Sequence, residues 1–465
     1  MANDYKKFNL IVIGGGSAGY AAARTYHEKG GSVAVVDDGD ELGGLCILRG
    51  CMPSKTLLYS AETLHLANKG RIFGFEEVKL KPDLPSMQLR KQKIISEFAD
   101  YRSQQLLDGR FSLYRSRACF VDEFTVELSD GTFLKADKFL VATGSRVAMP
   151  PVPGLSDVSF KTSDEVLSLT KTPNETIVLG GGIVACELAQ FLARVGSNVT
   201  LLQRSEQILR GFPSKAGECV RERMSFEGMN ILTGVSIKLV RQVDEDTIQV
   251  DYTQEGKSYR QETRFLFHAL GRTPSTKNLN LEKIGVELLT SGHIATNSFQ
   301  QTSIPHIYAA GDCAGPHEIV HIAIRQGETA AFHALGQSPD PIGYDHLLGV
   351  TFTDPQVAKV GLMPTDLAAR GIEFLSADYP FDDHGKSILM DAKYGYVAVH
   401  ADKRSGVVLG AECVGKDAGE LIHALSIAIS LKATVHQLAK ADWYHPTLSE
   451  IWTYPIEDLA EEISP

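Results

Sequence analysis

The chain has 465 residues, of which 43% are hydrophobic and 22% charged, and this composition excludes a mostly disordered chain, a collagen and a coiled coil. Its length is about three times that of a usual single domain, so we expect two to four domains. The net charge of -11 repels a phosphate backbone, so we expect no nucleic-acid partner.

No segment predicts a membrane span or a secretory signal. The longest uncharged stretch near the start, residues 8–23, contains three consecutive glycines and falls short of the roughly 20 apolar residues that a spanning helix needs. We therefore expect a cytoplasmic protein that does not enter a membrane. Structural disulfides are not expected there, so a close pair among the seven cysteines would indicate catalysis or metal binding.

The first 40 residues predict a β-α-β unit. Residues 8–13 form a short apolar run suited to a buried parallel strand. Gly14, Gly16 and Gly19 follow this run where a helix should begin, and such glycines let the backbone approach a pyrophosphate. Asp37 ends the next strand, where a carboxylate can accept from a ribose hydroxyl. The unit predicts dinucleotide binding rather than a plain glycine-rich turn.

The same pattern recurs in a second unit. An apolar strand is expected over residues 176–179, followed by a turn with Gly180 and Gly182, a helix, and a further strand over residues 198–202. Ala185 stands where the third glycine would be. Two such units are modules of one type rather than a solenoid repeat, whose period would be shorter.

The second unit lacks the acid that ends the first. At the offset of Asp37 the chain has the uncharged Gln203, and Arg204 and Arg210 follow it. A guanidinium pairs bidentately with a 2′-phosphate, which a carboxylate would repel, so we expect NADP here rather than NAD. The alternative is that both arginines are solvated and that Gln203 simply hydrogen-bonds a ribose.

Cys46 and Cys51 form the closest cysteine pair. A disulfide needs Cα atoms within about 6.8 Å, whereas five residues of regular helix rise about 7.5 Å. A bridge therefore needs a distorted turn, for which Gly50 supplies the freedom, and strain with exposure is typical of a catalytic bridge. A metal site would need closer pairs and further ligands, so we expect no metal. The alternative is two unrelated thiols.

A histidine and a carboxylate lie near the C-terminus. Thiol–disulfide exchange needs a group that protonates the leaving thiolate, and the ordinary pKa of a histidine such as His445 suits this task. Glu450 could fix its tautomer. A histidine near a terminus is more often structural, so spacing alone leaves both interpretations open.

Together these segments resemble the pyridine nucleotide–disulfide oxidoreductases, a family of flavin-dependent enzymes. The resemblance covers essentially the whole chain, and its most specific pieces are residues 43–55, which hold both cysteines, and residues 445–450. It implies FAD in the first unit, a nicotinamide cofactor in the second, and a homodimer in which the C-terminal histidine completes the active site of the other subunit. The remaining matches lie at residues 14–19, 142–144, 180–187, 269–272 and 308–312.

The family pattern implies a role for each matching residue. Cys51 would face the flavin, and Cys46 would exchange with the substrate. The implied catalytic residues are Cys46, Cys51, Lys55, Glu187, His445 and Glu450. The residues implied to hold FAD are Gly14, Gly16, Gly19, Asp37, Gly44, Lys55, Thr143, Gly144, Gly311 and Asp312. Those implied to hold the nicotinamide cofactor are Gly180, Gly182, Ala185, Glu187, Arg204, Arg210 and Gly271.

The expected fold is α/β, with two Rossmann-like dinucleotide-binding domains and a C-terminal α+β dimerisation domain. In the last region we expect a strand over residues 350–352 and a long buried helix over residues 418–431. Proline-rich segments mark the expected boundaries. These give an FAD-binding domain at 1–150 that resumes at 274–341, an NAD(P)-binding domain at 151–273 and a dimerisation domain at 342–465.

The chain also departs from the family pattern. Arg49 stands between the cysteines, and we hypothesise that its charge lowers the pKa of a thiolate, the alternative being an arginine that faces solvent. The last residues contain no cysteine pair of the kind that mercuric reductases use to pass on the metal, so that activity is not expected.

We expect an oxidoreductase that moves electrons between NAD(P)(H) and a dithiol or disulfide, such as a lipoyl group. The catalytic segments look most like those of dihydrolipoyl dehydrogenases, whereas the arginines of the second unit look like those of NADPH-using glutathione reductases. The alternative is therefore an NADPH-dependent reductase of glutathione or another small disulfide. A flavin oxidase or transhydrogenase with idle cysteines, or a flavin-bound redox sensor, is less expected.

Overall fold

A computed structural model describes residues 5–464 of the chain. The strands are β1 Lys6–Ile13, β2 Val33–Val36, β3 Ser112–Tyr114, β4 Ala118–Asp122, β5 Thr125–Leu128, β6 Phe133–Val141, β7 Ser145–Val147, β8 Glu175–Leu179, β9 Asn198–Leu202, β10 Asn230–Leu232, β11 Ser236–Gln242, β12 Ile248–Gln254, β13 Lys257–Thr263, β14 Leu266–His268, β15 Arg272–Pro274, β16 Ile307–Ala309, β17 Leu348–Thr351, β18 Gln356–Gly361, β19 Phe374–Pro380, β20 Tyr396–Asp402 and β21 Val408–Gly415. The helices are α1 Ser17–Glu28, α2 Gly44–Leu48, α3 Cys51–Asn68, α4 Leu84–Leu107, α5 Ser163–Val166, α6 Ile183–Arg194, α7 Ser214–Phe226, α8 Val320–Ala334, α9 Pro364–Ala369, α10 Gly385–Leu389, α11 Ala418–Ser430, α12 Val435–Leu438 and α13 Thr453–Glu462.

The first sheet has seven strands and a parallel centre. Its order is β3-β2-β1-β6-β5-β4, with β16 also paired to β6, and β4 and β5 are the antiparallel members. The apolar run of β1 is buried because α1 and α8 cover this sheet. Ligands of such sheets bind outside the carboxyl ends of the strands, which is where the first glycine turn lies.

A second sheet, of order β10-β9-β8-β14, is also parallel. The glycine turn after its strand β8 resembles the glycine turn after β1. A Cβ on Gly14 would lie 2.3 Å from the carbonyl oxygen of Ala142, and a Cβ on Gly180 would lie 2.4 Å from that of Ala269. Both glycines have positive φ, 105° and 115° respectively. Only glycine fits at these two positions, so the two β-α-β units have the same backbone path.

The last region is a five-stranded antiparallel sheet of order β17-β18-β21-β20-β19, with α11 and α13 packed against it. The expected helix is found, but the expected strand over residues 350–352 ends at Thr351. The amide of Phe352 donates to Glu187 at 2.9 Å instead of joining a strand ladder. Among residues 5–464 no helix is both long and apolar enough to cross a bilayer. The two parallel sheets and this antiparallel sheet confirm the expected fold class.

Candidate active site

The two cysteines lie on either side of a break between helices. Cys46 is in α2, and Cys51 begins α3, with Gly50 between the helices at φ −124° and ψ −116°. A Cβ on Gly50 would lie 2.9 Å from the carbonyl oxygen of Leu45 and 3.2 Å from Cys46 Cα. A side chain at this position would therefore push α2 and α3 apart. The distorted turn expected from the cysteine spacing is present.

The two thiols are unequal. Both are free in this structure, and each has the largest effect on the pKa of the other. The thiol of Cys46 lowers the pKa of Cys51 to about 6 against the opposing effect of burial, and the positive charge of Lys55 lowers it further. Cys51 in turn, together with burial, raises the pKa of Cys46. The negative charge of the reduced pair therefore rests on Cys51, while Cys46 keeps its proton.

An ion pair fixes Lys55 beside the cysteines. Its Nζ lies 2.8 Å from Oε2 of Glu187, whose side chain is only 3% exposed. The other carboxylate oxygen accepts from the amide of Phe352 at 2.9 Å, and Lys55 Nζ lies 4.7 Å from the centroid of the Phe352 ring. Glu187 and Phe352, from two other regions of the chain, thus hold the charge of Lys55 in place. The family resemblance implies catalytic roles for Lys55 and Glu187, whereas Phe352, which was expected within a strand, is not among the implied residues.

His445 and Glu450 are also joined. Nδ1 of His445 lies 2.7 Å from Oε1 of Glu450, and the imidazole is 76% exposed. The hydrogen bond from His445 is the main cause that lowers the pKa of Glu450. A carboxylate at Nδ1 fixes that nitrogen as the donor and leaves Nε2 to accept or give a proton. The geometry of an oriented acid–base group is present.

The first glycine turn fits a dinucleotide. Gly16 is the N-cap residue of α1 and has no side chain to cap the helix, so the first amides of α1 are left to bind an anion. A Cβ on Gly44 would lie 2.7 Å from Gly16 Cα, so the turn also closes against the start of α2. Asp37 Oδ2 accepts from the amide of Gly15 at 2.7 Å. The carboxylate therefore holds the turn, while its contact with a ribose stays a prediction.

The next set of predicted FAD residues lies where the chain passes between the two units. Thr143 Oγ1 donates to the carbonyl oxygen of Ser275 at 2.7 Å. Ser145 Oγ donates to Asp312 Oδ2 at 2.6 Å and accepts from Arg272 Nε at 2.7 Å. Asp312 is thereby oriented at the carboxyl end of the first sheet. The predicted glycines of this region share a positive φ: Gly144, Gly271 and Gly311.

The helix after the second glycine turn also has no side-chain cap. No carboxylate stands at the position that corresponds to Asp37. Gly182 is the N-cap residue of α6 and has no side chain to cap the helix, and Ala185 is buried in the first turn of α6. A Cβ on Gly181 would lie 3.0 Å from the Gln203 side chain, as one on Gly15 would from Asp37. Gln203 is thus the spatial counterpart of Asp37.

The two arginines of the second unit lie on the loop after β9. Arg204 and Arg210 are exposed, and neither has an ion pair with any residue between 5 and 464. Gln203 is held by Ser205, because its Nε2 donates to Ser205 Oγ at 2.5 Å. This loop therefore offers two arginines without an ion pair among residues 5–464, next to an uncharged amide.

The hypothesis for Arg49 is wrong in this structure. Its side chain is 65% exposed, and Nη1 lies 3.6 Å from Oδ2 of Asp164. The positive charge that lowers the pKa of Cys51 comes from Lys55 instead. Arg49 is the C-cap residue of α2, and its side chain faces solvent and Asp164.

One cluster elsewhere has the residue types of a metal site. His65, Glu227 and Asp354 bring their ligand atoms within 4.8 Å of one another. However, Arg194 lies 2.7 Å from Glu227 and 2.5 Å from Asp354, and Arg223 lies 3.0 Å from Glu227. Because two guanidinium groups already compensate both carboxylates, we interpret the cluster as an ion-pair network between domains.

Two kinds of characterised enzyme are similar to this chain over nearly its whole length. A mercuric reductase from Lysinibacillus sphaericus is 34% identical over 444 residues, which are 95% of this chain and 81% of that protein. A dihydrolipoyl dehydrogenase from Chlamydia muridarum is 31% identical over 449 residues, which are 96% of this chain and 95% of that protein. A crystal structure of LpdA from Mycobacterium tuberculosis has a TM-score of 0.87 at 26% identity, covering 97% of this chain and 99% of that one.

Two family models also match the chain. The model of the pyridine nucleotide-disulphide oxidoreductases matches residues 8–327, which is more than half of the chain. The model of their dimerisation domain matches residues 348–455 and supports a homodimer. The chain therefore belongs to the pyridine nucleotide-disulphide oxidoreductase family, whose members depend on FAD and use NAD or NADP.

Proposed function

We propose that this protein moves electrons between NADP(H) and a dithiol or disulfide substrate through Cys46 and Cys51. The observation that carries the proposal is the break between α2 and α3, which places Cys46 and Cys51 on either side of Gly50, with the Lys55–Glu187 ion pair one helical turn after Cys51. Bound FAD would supply two-electron transfer between the nicotinamide and this pair. The uncapped start of α1, Asp37 and Asp312 are the groups that would hold it.

The unequal thiols define separate tasks in the reduction of a disulfide. Because its pKa is raised, the Cys46 thiol must lose its proton to a base before it attacks a substrate sulfur. The attack forms a mixed disulfide and releases one substrate thiolate, which takes a proton. The Cys51 thiolate then attacks the Cys46 sulfur, closes the Cys46–Cys51 bond and releases the second substrate thiolate. Oxidation of a dithiol is the reverse sequence.

We assign the base to the histidine of the other subunit. His445 is oriented by Glu450 and is exposed, so its Nε2 is accessible from outside its own chain. The dimerisation domain supports a second subunit. The partner's His445 would take the proton of Cys46 and return it to the leaving thiolate.

The nicotinamide cofactor is proposed to be NADP. The support is the uncharged Gln203 in the place of Asp37, together with Arg204 and Arg210, which have no ion pair among residues 5–464. Glu206 is also exposed on this loop and opposes the two arginines. Two positive charges against one negative charge still leave a net attraction for a 2′-phosphate.

We expect Arg204→Gln and Arg210→Gln each to raise the KM for NADPH about tenfold, because each removes a charged partner of the 2′-phosphate. The KM for NADH should change little. Steady-state kinetics with both cofactors measures the effect, and Arg260→Gln, which removes an exposed arginine on β13, is the control. A native enzyme that prefers NADH would contradict the assignment.

We propose a substrate of the kind that dihydrolipoyl dehydrogenases use, such as a lipoyl group. The alternative is a small disulfide such as glutathione disulfide. Relatives named dihydrolipoyl dehydrogenase and mercuric reductase have similar identities, so the acceptors to compare are lipoamide, glutathione disulfide and the mercuric ion. The experiment is stopped-flow reduction with NADPH, followed by each acceptor. Cys46→Ala should abolish turnover with the disulfides. An oxidase or transhydrogenase with idle cysteines would keep its full activity in this variant.

A further inference from the structure

A guanidinium without a counter-charge lies beside the cysteine helices. Arg102 is near the C-terminal end of α4, which packs against both α2 and α3. Its Cζ lies 4.0 Å from the centroid of the Tyr20 ring on α1. Its Nε and Nη1 are buried and have no hydrogen-bond partner among residues 5–464. The third nitrogen, Nη2, is not among the enclosed atoms and is the end available to a ligand.

Arg102 differs from the other arginines enclosed by the described part of the chain. Arg194 and Arg223 each pair with Glu227. Arg24, which neighbours Arg102, has an unpaired Nε, but its Nη2 pairs with Glu328 at 2.7 Å. Holding a cation away from water without an acceptor costs free energy that a polar surface residue would avoid. Such a group at the edge of an active site indicates a binding role.

Arg102 lies in the region of α4 that also approaches the thiol proposed to meet the substrate, because α4 packs against α2, which contains Cys46. Burial lowers the pKa of Arg102, whereas Tyr20 and Cys46 in their ionised forms would raise it, so both side chains are near the guanidinium. An anion bound by Arg102 would therefore lie close to the exchanging sulfur.

We infer that Arg102 binds an anionic group of the substrate next to Cys46, so that the preferred substrate is a disulfide or dithiol that carries a carboxylate. This inference rests on the proposed function and specifies its substrate class. A guanidinium binds a carboxylate through charge-assisted hydrogen bonds, and stacking on Tyr20 holds its plane in one orientation. A neutral disulfide of the same length would gain nothing from this contact.

The test compares three linear disulfides that differ mainly in charge: 3,3′-dithiodipropionate, bis(2-hydroxyethyl) disulfide and cystamine. Each is given to the reduced holoenzyme, and both the rate of reoxidation and the steady-state kcat/KM are measured. The native enzyme should prefer the dianion. In Arg102→Gln its kcat/KM should fall about tenfold through KM, the effect of losing one charge-assisted hydrogen bond. The neutral disulfide should change less than about twofold, and Arg102→Lys should recover part of the loss.

Lys93→Gln is the matched control, because it removes one exposed positive charge from the same helix. It should leave all three kcat/KM values unchanged. An equal loss for all three disulfides in Arg102→Gln would mean a structural role and would overturn the inference, as would a native preference for the neutral or cationic disulfide. If no disulfide reoxidises the native reduced enzyme, the proposed function itself fails. FAD content and the absorption of the Cys51 thiolate beside the flavin report whether Arg102→Gln is folded.

Discussion

At the scale of single residues, the charge that matters for the thiols comes from inside the fold. Arg49 lies between the two cysteines in the sequence, whereas Lys55 follows both. The side chain of Arg49 nevertheless points to Asp164. Lys55 lies one helical turn after Cys51 and is held by Glu187. Position in a helix, rather than distance along the chain, decides which cation stabilises the thiolate.

We expect Lys55→Met to raise the pKa of Cys51, because the positive charge of Lys55 favours the thiolate over the thiol. The measurement is a pH titration of the long-wavelength absorption that a thiolate gives beside a flavin in the reduced holoenzyme. In the native enzyme this absorption should be lost as the pH falls through about 6. In the variant the loss should begin about one unit higher. Arg49→Met is the control and should leave the midpoint in place, whereas a shift there would restore the rejected hypothesis.

Several site residues could be predicted from the sequence because a local motif specifies them. Asp37 and Gln203 follow their glycine turns at one offset, and the length of a β-α-β unit makes that offset meaningful. Arg102 and Phe352 could not be predicted. Their partners, Tyr20 and Glu187, are far away in the chain, and no local pattern predicts contacts between distant segments.

At the scale of elements, the short α2 and its break from α3 create the reactive pair. A continuous helix would place Cys46 and Cys51 about 7.5 Å apart along its axis, whereas here the turn brings Gly50, the residue before Cys51, so close to Cys46 that a Cβ on Gly50 would lie 3.2 Å from Cys46 Cα. The turn is tight enough that Gly50 has no room for a side chain. The break, and not the cysteines alone, therefore makes exchange between the sulfurs feasible.

We expect Gly50→Ala to slow the reaction of the reduced cysteine pair with a small disulfide about tenfold, because its Cβ would displace Leu45 and Cys46. Stopped-flow reoxidation of the reduced holoenzyme measures the rate. Gly343→Ala adds the same methyl group where nothing lies within 4 Å and should react at the native rate. A native rate in Gly50→Ala would show that the tight turn is unnecessary.

The elements that could be predicted from the sequence are those with strong apolar runs. The buried strands β8 and β9 and the helix α11 lie where hydrophobic patterns indicated them. The hairpin strands β11 and β13 and the long polar helix α4 were not predicted, because their apolar residues are sparse and partly exposed. Elements that depend on tertiary contacts for stability leave a weak periodic signal.

At the scale of the whole molecule, three regions meet at one ion pair. Lys55 belongs to the region of the first sheet, Glu187 to that of the second, and Phe352 follows the first strand of the antiparallel sheet. The domain boundaries at 150 and 273 stay predictions, although β7 and β15 pair with each other close to both positions. The matching dimerisation domain adds a second subunit, which the proposed acid–base group requires.

The most direct measurement is an anaerobic reductive titration of the purified holoenzyme. With FAD and the Cys46–Cys51 pair both accepting electrons, the native protein should take up about two electron pairs per subunit. The absorption of the Cys51 thiolate beside the flavin should appear with the first pair. Cys51→Ala should take up one pair and show no such absorption. A native protein that takes up a single pair, with no thiolate absorption, would contradict electron transfer through the two sulfurs.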